Sequence, residues 1–221
     1  MDSPLSETGT VYGVLFNFQG ELDAMEDALH EKPYNQPPKR PILYMKPKNT
    51  HNHHQGEVEM PQGEKVLQAG AALGIVFGRK ATNVPAEKAM DYVSGFTIVN
   101  DLSVPHDSYF RPNIKNKVRD GSCPIAPVIA KEAIHDEAML PIRVFVNNEV
   151  VQENNTANLV RPMGELVADI STFMTFSKGD ILLAGVPENS PLVRSGDLVR
   201  VEISTVGSLE NKIVPAKGGG L

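Results

Sequence analysis

Hydrophobic positions along this chain fall mostly in short runs. Residues 11–17 (Val-Tyr-Gly-Val-Leu-Phe-Asn), 41–47, 71–77 and 94–99 each hold a compact apolar stretch with β-branched or aromatic members, which predicts buried strands. The run at 71–77, Ala-Ala-Leu-Gly-Ile-Val-Phe, is the most apolar, and Gly78-Arg79-Lys80 stop it. Further strands are expected near 126–130, 141–146, 181–184 and 198–203, with a hairpin turn at Asn147-Asn148 and matching Gly-Asp turns at 179–180 and 196–197.

Helical spacing occurs in three places. Leu22, Met25 and Leu29 share one face, and Pro85, behind a capping Asn83, can open a helix reaching about Val93. Met163, Leu166, Val167, Ile170, Phe173 and Met174 follow the 3.6 period, so a helix is expected over 163–174. Three prolines make 32–40 irregular, the polar stretch 49–62 reads as a loop, and 103–124 is punctuated by Pro and Gly. No linker interrupts the pattern. The expectation is one β-rich α+β domain over 1–221, mostly antiparallel, with its core at 11–214 and a flexible tail at 215–221.

Composition narrows the function. With 41% hydrophobic and 22% charged residues, the 221-residue chain is that of a globular protein with a real core. A net charge of −6 supplies no basic field for phosphates or anionic lipid, so neither nucleic acid nor a membrane is an expected partner. No apolar stretch reaches the ~18 residues of a membrane span. A single cysteine, Cys123, and no basic, apolar leader in residues 1–20 point to the cytoplasm.

Several groups could carry chemistry. His51, His53 and His54 could converge on a metal, but no neighbouring Cys or Glu completes a ligand set, and solvated loop histidines are the commoner case. Cys123 has no histidine near it in sequence to lower its pKa, so it reads as a small core residue. Asp101 stands at a strand exit, where an acid serves a turn as readily as a site. Lys46 follows a strand, and Lys117, Arg119 and Asp120 share a loop; such cations suit a small dianion, or are simply solvated.

What links these positions is a resemblance. Lys46-Pro47, Gly78-Arg79, Gly95-Phe96-Thr97, Asn100-Asp101-Leu102-Ser103, Lys117-Val118-Arg119-Asp120-Gly121, Pro124, Asn147, Gln152, Phe173-Met174-Thr175, Gly179-Asp180, Gly185-Val186-Pro187 and Gly196-Asp197, in that order, resemble the fumarylacetoacetate hydrolase superfamily. Within it, Leu22-Asp23-Ala24, Lys32-Pro33-Tyr34, Pro37-Pro38-Lys39 and residues 61–67 are similar to the amino-terminal half of the two-domain isomerase/decarboxylases of homoprotocatechuate catabolism, a half that is a separate subunit in some bacteria.

The resemblance implies a distorted β-roll with short flanking helices, and a Mg²⁺ or Mn²⁺ held by two glutamates and an aspartate that stabilises an enolate in catalytic members. It implies catalytic roles for Lys117 and Asp120, substrate-binding roles for Lys46 and Arg119, and a metal-ligand role for Asp101. The expected partners are a di- or tricarboxylate and another copy of this chain or a paralogous subunit. Here the sequence departs from the family pattern: Gly70 and Ala72 stand where the two glutamates belong, the lid His and Glu positions fall on Glu21 and Ala24, and Gly185-Val186-Pro187 lacks a threonine hydroxyl. One aspartate cannot replace three carboxylates for a hard divalent ion. Two readings follow: a subunit of an isomerase/decarboxylase acting on dienoic di- and tricarboxylates, and a catalytically silent partner of a metal-competent paralogue. A third is a metal-independent hydrolase using Lys117 or Cys123.

Overall fold

The computed structural model describes residues 8–106, 109 and 113–216. Its strands are β1 (Val11–Leu15), β2 (Ile42–Lys46), β3 (His51–His53), β4 (Glu57–Glu59), β5 (Leu67–Gln68), β6 (Ala71–Phe77), β7 (Val93–Asn100), β8 (Cys123–Ile125), β9 (Ile129–Ala130), β10 (Pro141–Val146), β11 (Glu149–Asn155), β12 (Ile181–Leu183), β13 (Leu192–Val193), β14 (Leu198–Ile203) and β15 (Gly207–Val214). The short helices are α1 (Gln19–Ala24), α2 (Glu26–His30), α3 (Ile114–Lys117) and α4 (Met163–Ser171). The result is a β-rich α+β fold.

The larger sheet runs β2-β1-β12-β6-β7-β8-β3, with β9 also pairing β7; the smaller runs β11-β10-β14-β15-β4, and β5 pairs with β13. Most pairings are antiparallel, while β1 with β12, β3 with β8 and β4 with β15 are parallel. All seven residues of β6 are buried, as expected of a central strand covered on both faces. On one face Leu73, Ile75 and Phe77 join Phe96 and Ile98 of β7 and meet Ile142, Val144, Val199, Val201 and Ile203 of the smaller sheet. On the other, Ala72 and Val76 join Val11, Val99, Cys123 and Leu183 in a second cluster. By contrast β14 alternates, with Val199, Val201 and Ile203 buried and the residues between them half-buried.

Several local expectations hold. Asn147 and Asn148 have φ of 52° and 68° and join β10 to β11, the left-handed pair that matches the twist of a hairpin. The two Gly-Asp turns close alike: Asp180 and Asp197 each accept, through a side-chain oxygen, the N–H of the residue three before, Ser177 and Arg194.

Other expectations are corrected. The stretch read as a loop at 49–62 contains β3 and β4. Only Val58 of β4 is buried and no residue of β3 is, so no apolar alternation marks these polar edge strands. The sequence pattern also missed β15, because Asn211 points inward between Leu209 and Ile213 and donates to the carbonyls of His53 and Gly56 at 2.9 and 2.8 Å. The expected helix at 22–29 divides at Met25 into α1 and α2, and the one after Pro85 is a 3₁₀ segment, Ala86–Tyr92. Finally, α4 stops at Ser171, three residues short of the apolar pattern. The Ser171 and Thr172 hydroxyls donate to the carbonyls of Ala168 and Asp169 and so occupy the acceptors of the last turn. From residue 217 on, the expected tail lies outside the described residues.

Two phenylalanines beyond the end of α4 differ in burial. Phe176 is fully buried and stacks on Phe77 with centroids 4.1 Å apart, whereas Phe173 is 61% exposed. Phe176→Ala is expected to cost about 3–5 kcal/mol in urea unfolding, and Phe173→Ala no more than about 0.5 kcal/mol; equal losses would place Phe173 in the core.

Candidate active site

At its carboxyl end β7 delivers Asp101 to the interior. The Asp101 N–H donates to the Gly70 carbonyl at 2.8 Å, and the Gly70 N–H donates to the Asn100 side chain at 3.1 Å, so the ends of β6 and β7 are tied together and the Asp101 side chain is fully buried. Lys46, the last residue of β2, and Lys117, the last of α3, bring their ammonium groups to it: Lys46 Nζ lies 2.9 Å from Oδ1 and Lys117 Nζ 2.8 Å from Oδ2. Tyr44, two residues before Lys46, donates its hydroxyl to Oδ2 at 2.5 Å, and Lys117 Nζ sits 4.3 Å from the centre of its ring.

The two lysines differ. The Lys46 ammonium is fully buried and donates to the Leu102 and Lys117 carbonyls and to Ser122 Oγ. Those three bonds use its three protons, so its contact with Asp101 is an ion pair, and Oδ1 is left without a hydrogen-bond donor. Lys117 keeps some exposure and lines a cavity of about 180 Å³ with Glu21, Tyr44, Asp101, His106 and Glu188. Seating Tyr44 requires Gly13, its partner in β1: a β-carbon there would lie 2.0 Å from the ring.

Burial alone would raise the Asp101 pKa, but the charges of Lys117 and Lys46, with the hydrogen bonds from Lys117 and Tyr44, outweigh it and hold the carboxyl well below the usual range. Burial, then the charge of Asp101, pushes the Tyr44 phenol well above its ordinary value. The Cys123 thiol is pushed up to about 12, chiefly by burial, which leaves it a protonated core residue and removes it as a nucleophile. His51, His53 and His54 form no metal cluster among the described residues; the His54 ring accepts the Glu210 N–H.

Of the expected site residues, the fold brings Lys46, Lys117 and Asp101 together across 71 positions of sequence. Lys46 is fully enclosed, and its ammonium meets Asp101 and the oxygens of Leu102, Lys117 and Ser122. Arg119 and Asp120 do not line the cavity. Asp120 is exposed and accepts from Asn49 at 2.6 Å. The sequence reading did not single out Tyr44, His106 or Glu188; only Tyr44 carried a signal, through its spacing of two from Lys46 on one strand.

The divalent cation that the resemblance implies does not fit this donor set. Gly70 and Ala72 offer no side-chain oxygen, both oxygens of Asp101 face ammonium groups, and no cluster of three metal-ligating side chains occurs among the described residues. Gly70 also has no room for a side chain, since a β-carbon would come within 2.7 Å of the Asp101 carbonyl oxygen.

The triad sets two expectations for stability. Removing one partner of a buried pair strands its charge, so Lys46→Met is expected to cost about 3–5 kcal/mol, and Lys117→Met less because Lys117 is partly solvated. Asp101 is depressed on folding, so its contribution is complete above the ordinary aspartate value of 3.8 and is lost as pH falls below it. Urea midpoints measured from pH 6 to pH 3 should therefore fall more steeply for the wild type than for Asp101→Asn; parallel curves would show that the triad does not govern acid stability.

Over 206 residues the chain is 37% identical to the 4-hydroxyphenylacetate degradation bifunctional isomerase/decarboxylases of Salmonella dublin and Escherichia coli, covering 93% of this chain and 47% of each relative. The chain thus spans about half the length of these curated relatives. Among solved structures, it is similar to a 5-carboxymethyl-2-hydroxymuconate delta-isomerase from Mycobacterium smegmatis, with a TM-score of 0.80, 27% identity and coverage of 95% of this chain and 80% of that one. A 2-hydroxyhepta-2,4-diene-1,7-dioate isomerase from Mycobacterium marinum gives a TM-score of 0.75 and 27% identity over 96% and 76%. Residues 10–214 match the fumarylacetoacetate (FAA) hydrolase C-terminal family, and the chain belongs to that family.

Proposed function

We propose that this chain is a subunit of an isomerase/decarboxylase acting on 2-oxo and 2-hydroxy dienoic di- and tricarboxylates in 4-hydroxyphenylacetate catabolism, folding as one domain and working in the cytoplasm. The observation that carries this reading is the Lys117 ammonium, fixed by Asp101 and Tyr44 on the wall of a cavity of about 180 Å³. Two lysines face one aspartate there, so the triad has a surplus positive charge, and Lys117 is its solvent-facing member. A cation so placed can hold the carboxylate of a substrate or the oxyanion of an enol, the group that develops charge when a 2-oxo acid isomerises. The names of the relatives supply the substrate class.

A second reading, that the chain is a silent partner on which a metal-competent paralogue assembles, is favoured by Gly70 and Ala72 and by a length about half that of the bifunctional relatives. In either case a second copy or a paralogue is the proposed protein partner.

Purified chain assayed by ultraviolet absorbance on 2-hydroxyhepta-2,4-diene-1,7-dioate, alone and with the paralogue, separates the two. The subunit reading expects isomerisation by the chain alone, undiminished by EDTA and reduced at least tenfold in Lys117→Met; turnover only with the paralogue, and unaffected by Lys117→Met, would establish the silent partner.

A further inference from the structure

The cavity holds titratable groups that the triad does not use, and one of them faces it from a helix. Glu21, in the first turn of α1, lines it with Lys117, and its Oε2 accepts the N–H of Phe16 at 2.7 Å. Phe16 is fully buried with φ of 59°, the left-handed region that a bulky residue enters at a cost. The strained turn aims its N–H at the carboxyl and thereby fixes it, and among the described residues no other group hydrogen-bonds to that carboxyl.

Two other atoms at this cavity lack partners. Among the described residues, His106 Nε2 and Glu188 Oε2 are buried without a hydrogen bond, and both residues line its wall. Buried polar groups without partners are uncommon in folded proteins, and two on one small cavity are the complement of a polar ligand.

We propose that Glu21 is the proton-transfer residue of this cavity, held by Phe16 and acting with the Lys117 ammonium, so that the chain enolises 2-oxo carboxylates without a divalent metal. The inference rests on the proposed substrate class. The Glu21 carboxylate removes a proton from the carbon next to the 2-oxo group, or from its vinylogue: the C–H bond breaks and an O–H bond forms on Glu21. The electron pair moves onto the 2-oxo oxygen, where Lys117 holds the enolate. Returning that proton to a different carbon restores the carbonyl; a 2-hydroxy dienoate joins the same path at the enol, losing its O–H proton and gaining one on carbon, and in neither case is anything oxidised or water consumed.

The electrostatics suit this role. Burial raises the Glu21 carboxyl to about 7, opposed by the Phe16 hydrogen bond and the Lys117 charge and assisted by Glu188. A base near neutrality is half ionised at working pH and can both take and return a proton. The titratable and charged groups lining the same cavity are Lys117 and Asp101 of the triad, Tyr44 of β2, His106 and Tyr109 of the segment after β7, and Glu188 after β12.

The test follows exchange of C3 protons of a small 2-oxo dicarboxylate, 2-oxoglutarate, for solvent deuterium by NMR in the presence of EDTA, beside isomerisation of 2-hydroxyhepta-2,4-diene-1,7-dioate. The wild type should catalyse exchange with a rate that rises with pH through about 7. Glu21→Gln, which keeps an oxygen for the Phe16 N–H, should lose about 10²–10⁴-fold. Glu188→Gln should move the pH limb to lower values, because it removes the like charge that helps raise Glu21. As a readout independent of turnover, difference infrared spectra should show a carboxyl band titrating near 7 that Glu21→Gln removes. Should Glu21→Gln not fold, Glu21→Asp serves, with slower exchange on a retained pH limb. Exchange that depends on Glu21 without isomerisation of the dienoate would sink the substrate assignment and keep this proposal. Isomerisation that Glu21→Gln leaves intact would do the reverse. A wild type with no exchange at all overturns the proposal.

Discussion

The site depends on the pairing of one buried carboxylate with two ammonium groups. A lone charge as enclosed as Asp101 costs several kcal/mol, and Lys46, with no solvent contact, would cost as much. Each makes the other tolerable, and the carbonyls of Leu102 and Lys117 and the hydroxyl of Ser122 complete the shell around Lys46. The ends of β2, β7 and α3 are thereby drawn to one point, although they lie at positions 46, 100 and 117. Because two cations meet one anion, the triad leaves a positive surplus. Lys117, its solvent-facing member, presents it to the cavity.

Small residues make room for that arrangement. The Tyr44 ring lies over Gly13, and its hydroxyl reaches Asp101 only because β1 has no side chain at that register. Gly70 meets the backbone of Asp101 in the same way, and the close approach keeps the carboxylate beside the strand end. With Glu21, Glu188, Asp101 and Lys117 on its wall, charges of both signs line a space of about 180 Å³, where the low dielectric makes each count for more than it would in water.

The family's scaffold is retained over residues 10–214, while Gly70 and Ala72 offer no side-chain oxygen beside Asp101 and two lysine ammonium groups balance that aspartate. An internal cation and a divalent ion stabilise a buried carboxylate by the same electrostatic principle, but an ammonium whose protons are all committed has none left for a substrate. Lys117 is the ammonium of the pair that lines the cavity.

By itself the sequence determined the elements whose signal is local. The apolar run of β6, β10 and β14, the paired asparagines of the hairpin and the Gly-Asp turns all appear where the pattern places them, since backbone preference and side-chain period act over a few residues. The grouping of Lys46, Asp101 and Lys117 was legible only through the ordered family motifs, because spacing along a chain says nothing about convergence across 71 positions. Tertiary structure alone decided the rest. It made strands of the polar segments at 51–53 and 57–59 by giving their backbones partners, enclosed Lys46 while leaving Lys117 at the cavity, and left Asp120 in solvent. It also gave Glu21 its half-buried place, bonded to the Phe16 N–H. The desolvation and field that set what a charged side chain does come from atoms distant in sequence, and they exist only once the chain has folded.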